Sequence, residues 1–184
     1  EVICRVIESI AYINDEEICR IIEDAYEHKD QRVRQSAVFA MGRSMDHHYA
    51  DIVIDELYSS SPAMRYEAAR ACGEIQLELA VESLVELVQD PDHETRCMAI
   101  WALGQIGSKR AEEVLRDCMN GGDEMLKDAA AEALDELEFA SKDLDLFVYH
   151  IDDADSADSI VRDKLNLLGR EEGAALSEGD DDFA

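Results

Sequence analysis

Arg34-Gln35-Ser36-Ala37-Val38-Phe39-Ala40-Met41-Gly42 is written again as Arg65-Tyr66-Glu67-Ala68-Ala69-Arg70-Ala71-Cys72-Gly73 and as Arg96-Cys97-Met98-Ala99-Ile100-Trp101-Ala102-Leu103-Gly104. A worn fourth copy runs from Lys127 to Asp135. The interval is 31 residues each time (65 − 34, 96 − 65, 127 − 96). Self-similarity at a constant period of a few tens of residues is the signature of a solenoid, whose units bury their apolar sides only against their neighbours.

Outward from that stretch, each unit reads as helix, turn, helix. Asp30, Asp92 and Asp123, with Ser61-Pro62 at the equivalent place, stand where a helix starts. Arg34, Arg96 and Lys127 follow those acids by four residues, which predicts same-face pairs extending into an Asp/Arg ladder along the array. Ala37, Ala68, Ala99 and Ala130 form one small-residue column, and Ala40, Ala71, Ala102 and Ala133 another, so the first helices are expected to approach closely. Gly42, Gly73 and Gly104 are expected to end those helices in a left-handed conformation, with Asp135 breaking the pattern in the last unit.

Second helices are predicted at about 47–59, 78–89 and 109–120. Their buried column is Ile22, Val53, Leu84 and Leu115, backed by Tyr26, Leu57, Val88 and Met119. Residues 1–29 read as a repeat whose beginning is missing, with a helix over about 15–27 after a partial one ending near Ala11. The start at Glu1-Val2 suggests a piece beginning inside a longer protein. The expected domains are a repeat array over 1–138, an extension over 139–169 that caps the last repeat and includes a helix near 156–168, and an acidic disordered tail over 170–184.

Hydrophobic residues make up 47% of the 184, but aromatics only 6%, so a core of Ala, Leu, Ile and Val at helical spacing is required. The fold class is all-α, an α-solenoid (α-α superhelix) of about four helical hairpins. Net charge is −27, which disfavours phosphate backbones and anionic lipid, excluding nucleic acid and membrane as partners and favouring a basic protein. A salt-rich cytoplasm is the alternative source of that acidity, since few of the bases are lysines. No apolar run approaches the roughly 20 residues needed to span a bilayer. Five cysteines without a Cys-x-x-Cys pair fit a reducing cytoplasm, with Cys72 as a small core hydrophobe.

The Arg-x-x-Ala-x-x-Ala-x-Gly pattern at this interval, over about residues 15–138, resembles the short HEAT-like repeats of the phycocyanobilin lyases, armadillo-like in architecture. Val38–Ser44 and Met64–Arg70 are also similar to bacterial HEAT-repeat proteins of no assigned activity. The resemblance implies a helical scaffold whose second helices line the concave side. It carries a bilin lyase or chromophore-attachment chaperone as one alternative function and a purely structural segment of a larger protein as another. Tetratricopeptide and ankyrin signatures are absent.

The same architecture resembles the deoxyhypusine hydroxylases, in which His-Glu just after the repeat Arg holds a di-iron centre. Here those places hold Gln35-Ser36, Tyr66-Glu67, Cys97-Met98 and Asp128-Ala129. His93-Glu94 occurs in a single unit near a helix start, and His47-His48 reads as a solvated turn. Asp153-Ala-Asp155-Ser-Ala-Asp158 fails the calcium-loop rule, having Asp158 where Gly is needed and Lys164 where Glu is needed. No nucleophile elbow, phosphate loop or dinucleotide fingerprint occurs. No catalytic, cofactor or metal residue is therefore expected. What remains is surface: Asp24, Asp55, Glu86 and Asp117, with Arg20, Asp51, Glu82 and Glu113 one turn earlier, form two columns along the second helices, all carboxylate but for Arg20. Phe39, Arg70, Trp101 and Glu132 share the first-helix column expected to face outward, where two aromatics flanking an arginine form either an interaction patch or a surface packed under the chain's own flanking segment.

Overall fold

A computed structural model of the chain describes residues 1–13 and 15–151, with side chains up to residue 139. Every regular element among the described residues is a helix. In order they are α1 (Val2–Ile10), α2 (Glu16–Tyr26), α3 (Gln31–Arg43), α4 (Ala50–Glu56), α5 (Pro62–Ile75), α6 (Val81–Leu87), α7 (His93–Ile106), α8 (Lys109–Met119) and α9 (Glu124–Ile151). Single 3₁₀ turns at His47–Tyr49 and Glu78–Ala80 lead into α4 and α6. The first compact unit is Glu1–Glu138, and a second starts at Phe139. The expected helix near 156–168 and the acidic tail over 170–184 lie outside the described residues.

The odd-numbered helices stack side by side, α1 on α3, α3 on α5 and α5 on α7, while α2, α4, α6 and α8 form a second layer against them. The alanine columns explain the spacing. Ala37, Ala68, Ala99 and Ala130 are fully buried, as are Ala40, Ala71 and Ala102. Ile22, Val53, Leu84 and Leu115 are buried between the layers as the periodicity requires. Of the backing column, Leu57 and Val88 are buried but Met119 is exposed, because α8 is the last second helix among the described residues. Cys72 is fully buried, and burial pushes its thiol up to about 12.

Three expectations are corrected. Gly42, Gly73 and Gly104 do not stop their helices; they lie inside α3, α5 and α7. A Cβ on Gly42 would stand 2.7 Å from Ala71 Cα, one on Gly73 2.9 Å from Ala102 Cα, and one on Gly104 2.8 Å from Ala133 Cβ. Each glycine is thus the hole into which the next first helix fits its alanine. The left-handed positions fall three residues later, at Met45, Gln76 and Gly107. In the fourth unit the equivalent place is Glu138, inside the continuous α9.

The Asp/Arg pairs at four-residue spacing do not form for Asp30–Arg34 or Asp92–Arg96. Asp30, Asp92 and Asp123 are occupied as helix caps, accepting from the backbone N–H of Arg32, Thr95 and Met125. Ser61 makes no such cap, its hydroxyl accepting instead from Gln31. The repeat arginines turn back six residues, to the carbonyls of His28, Ser59 and Asp90. Two also reach forward into the next unit: Arg65 to both oxygens of Asp90 (2.7 and 2.8 Å) and Arg96 to Asp123 (3.4 Å).

A second inter-unit ladder runs through Tyr12, Arg43 and Glu74, each 31 residues from the next. Gln105 and Glu136 continue the column at 3.0 Å. Residues one repeat apart are therefore direct neighbours.

Candidate interaction surfaces

The second helices bury one residue each at the centre of their inner face, Ile22, Val53, Leu84 or Leu115. A helix turns about 200° in two residues, so side chains two places before and after such a residue point away from the core and lie side by side. Asp51 and Asp55 flank Val53 in this way, Glu82 and Glu86 flank Leu84, and Glu113 and Asp117 flank Leu115, while Asp24 follows Ile22. All seven are exposed. Arg110 reaches Glu82 (3.2 Å) and Glu113 (3.4 Å), bridging α6 and α8. Asp24, Asp51, Asp55, Glu86 and Asp117 form no salt bridge among the described residues. Beside the stripe, Tyr26 donates to Glu56 (2.8 Å), and burial, with the negative charge of Glu56 adding to it, holds the phenol up at about 12.

The first-helix column is less exposed than its register suggests. Arg70 lies 4.0 Å over the Phe39 ring from one repeat away and is itself half-buried, held by Glu67 (2.8 Å) and Glu74 (2.9 Å). Phe39 is consequently half-buried, and the arginine that was to be flanked by aromatics is already neutralised. Trp101 is also half-buried, its ring resting where a Cβ on Gly73 would stand, 2.8 Å away. Phe39 and Arg70 are thus taken up in inter-repeat stacking, because the long side chain of one copy folds over its neighbour, while Trp101 keeps one side toward a groove.

Sequence reasoning did not single out the groove beside Trp101. About 690 Å³ in volume, it lies between α7 and α9 and is lined by Tyr66, Met98, Trp101 and Met125 together with Glu94 and Glu132. The signal available was weak, since Tyr66, Met98 and Met125 do not share one repeat position.

His47 and His48 sit exposed in their turn, His48 3.2 Å from Glu23. His93 opens α7 and lies 3.8 Å from the Cys97 sulfur. Among the described residues no three His, Cys, Asp or Glu side chains come together as a metal would require. Gln35-Ser36, Tyr66-Glu67, Cys97-Met98 and Asp128-Ala129, the places where the deoxyhypusine hydroxylase resemblance puts iron ligands, do not supply a di-iron set. Ser36, for one, is buried and donates to Glu8. No described helix is long and apolar enough to cross a membrane.

The family model for HEAT repeats matches residues 50–135. Among solved structures, human deoxyhypusine hydroxylase in complex with glycerol is 21% identical, with a TM-score of 0.57 over 68% of this chain and 45% of that one. An engineered protein is 22% identical, with a TM-score of 0.54 over 73% of this chain and 71% of that one. A second engineered protein is 21% identical, with a TM-score of 0.53 over 73% of this chain and 43% of that one. At these identities the likeness is one of fold, and the chain spans less than half the length of the human enzyme. No curated protein matches the chain by sequence.

Proposed function

The chain is a HEAT-like repeat protein, and from that premise we propose that it is a protein-interaction scaffold without catalysis of its own, whose second-helix carboxylates bind a basic segment of a partner. The observation that carries the reading is the stripe itself: seven exposed acids at fixed repeat positions, five of them without a salt bridge among the described residues. Neighbouring helices stand roughly 10 Å apart. In water, carboxylates one turn apart on a helix, at about 6 Å, repel by ~0.7 kcal/mol and those at about 10 Å by ~0.4 kcal/mol, before salt screening. The fold tolerates that cost easily, while the summed field of the stripe steers and orients a cationic partner. Against an enzymatic reading stands the absence of a matching ligand set at the hydroxylase positions.

The test is reversal of Asp55, Glu86 and Asp117 to Lys. Binding of an oligo-arginine peptide at low salt, followed by calorimetry, is expected to weaken by about tenfold or more, and partners captured at low salt by the unmodified chain are expected to be lost. Unchanged peptide affinity and an unchanged set of captured proteins would sink the proposal.

A further inference from the structure

The groove between α7 and α9 is a different face from the carboxylate stripe, and its chemistry is mixed. Met98 and Trp101 from α7, Tyr66 from α5 and Met125 from α9 give it an apolar lining, and Met125 is exposed. Glu94 and Glu132 line it too; both are exposed and neither forms a salt bridge among the described residues. Among the described residues no lysine or arginine lines it. Trp101 is held in place from beneath, because the side-chain-free surface of Gly73 seats the ring edge against the α5 backbone. A large aromatic already fixed in position loses little freedom when a partner packs on it, as binding anchors do. From His93 to Trp101 the groove follows α7 for about 12 Å, and from Met125 to Glu136 it follows α9 for about 16 Å, the length of two to three helical turns.

Charge decides the occupant. The chain's own residues 152–184 contain eleven Asp and Glu against three Lys and Arg, with the three bases gathered at 162–170, so docking of that stretch in the groove is the rival outcome that acrylamide quenching of Trp101 tests. A second copy brings another net −27. Both carry like charge to a groove edged by carboxylates, and like-charge juxtaposition opposes docking. We infer that the groove between α7 and α9 docks a short basic amphipathic segment of a partner protein, with apolar side chains against Met98, Trp101 and Met125 and Lys or Arg against Glu94 and Glu132. This site does not depend on the second-helix stripe, so the scaffold uses both of its layers.

Trp101 is the chain's one tryptophan, and its emission reports on the groove directly. The full chain is titrated with a two-heptad Leu/Lys amphipathic peptide, with oligo-lysine, and with the Leu/Glu version of the first peptide. A saturable blue shift is expected with the Leu/Lys peptide alone. Met125→Gln and Glu132→Lys, both at exposed positions, are each expected to weaken it several-fold while leaving the melting temperature within a degree or two. The Asp55, Glu86, Asp117 to Lys reversal is expected to leave the shift in place, which separates this site from the stripe. The inference is overturned by the absence of a shift, by an equal response to oligo-lysine, or by a shift indifferent to both groove substitutions. It is also overturned if the stripe reversal abolishes the shift, or if Trp101 resists acrylamide quenching before any peptide is added, since the groove would then already be covered.

Discussion

At Met45 and Gln76 the backbone takes φ of 54° and 58°, a left-handed turn that Gly107, at the same place one repeat on, makes at 63°. A side chain in that conformation costs about 1–2 kcal/mol, whereas the extra freedom a glycine loses on folding costs about 0.5–1 kcal/mol. The strain is the larger, so Met45→Gly and Gln76→Gly are each expected to stabilise by about 0.5–1 kcal/mol. In a thermal melt that is a rise of about 2 °C apiece for a chain of this size. Gly107→Ala is expected to move the melt the opposite way, its new Cβ standing 2.7 Å from a Leu137 methyl. Lower melting temperatures for both glycine variants would contradict the strain argument. The sequence shows a glycine in three copies at 42, 73 and 104, and that uniformity marks it as the expected stop. The true stop is occupied by Met, Gln and Gly, three residues without a shared chemistry, so composition did not mark it. Conversely, the helix-interior glycines are uniform because each faces the same alanine.

Between elements, the arginine of the second copy does the joining. Arg65 binds the Ser59 carbonyl ahead of α5 and the Asp90 carboxylate behind α6, with little of either side chain exposed. Burial pushes the Asp90 carboxyl upward, but the Arg65 hydrogen bonds, the Asp92 amide and the Arg65 charge outweigh it and hold Asp90 below its usual 3.8. A carboxyl depressed in the folded state contributes stability that is complete above its unfolded value, near 4, and lost as pH falls through the depressed one. Leaving a buried arginine without its partner costs about 3–5 kcal/mol. Asp90→Asn is therefore expected to be destabilised by most of that amount at pH 7 in denaturant titrations, with the gap closing progressively below about pH 4. A gap that stays constant down to pH 3 would show that the pair is not the source. The alanine columns, cap acids and buried second-helix residues were legible because every copy repeats them. Asp90 was not, since His28, Ser59 and Gly121 stand at its place in the other copies. The carboxylate stripe was readable as a pattern, but that Arg110 bridges two of its members depends on side-chain reach.

For the array as a whole, each repeat is held by its neighbours, so stability is a chain of nearest-neighbour interfaces instead of one undivided core. The interface between α5 and α7 can be opened at a single atom. A Cβ on Gly73 meets the Ala102 backbone at 2.9 Å and the Trp101 ring at 2.8 Å, and a backbone cannot swing aside as a flexible side-chain end does. Overpacking of this kind costs about 1–3 kcal/mol for added methylenes, and more where the helices must separate. Gly73→Val is accordingly expected to uncouple the repeats on either side, so that hydrogen exchange in α7 and α8 becomes faster than in α3 and α5. The thermal transition should broaden or split, because α3 and α5 keep their own glycine–alanine contact at Gly42 and Ala71. Gly73→Ala should lie between Val and the native residue in both readouts. If Gly73→Val instead lowers exchange protection uniformly along the array and leaves one sharp transition, the repeats fold as a single cooperative body, and the nearest-neighbour account is wrong.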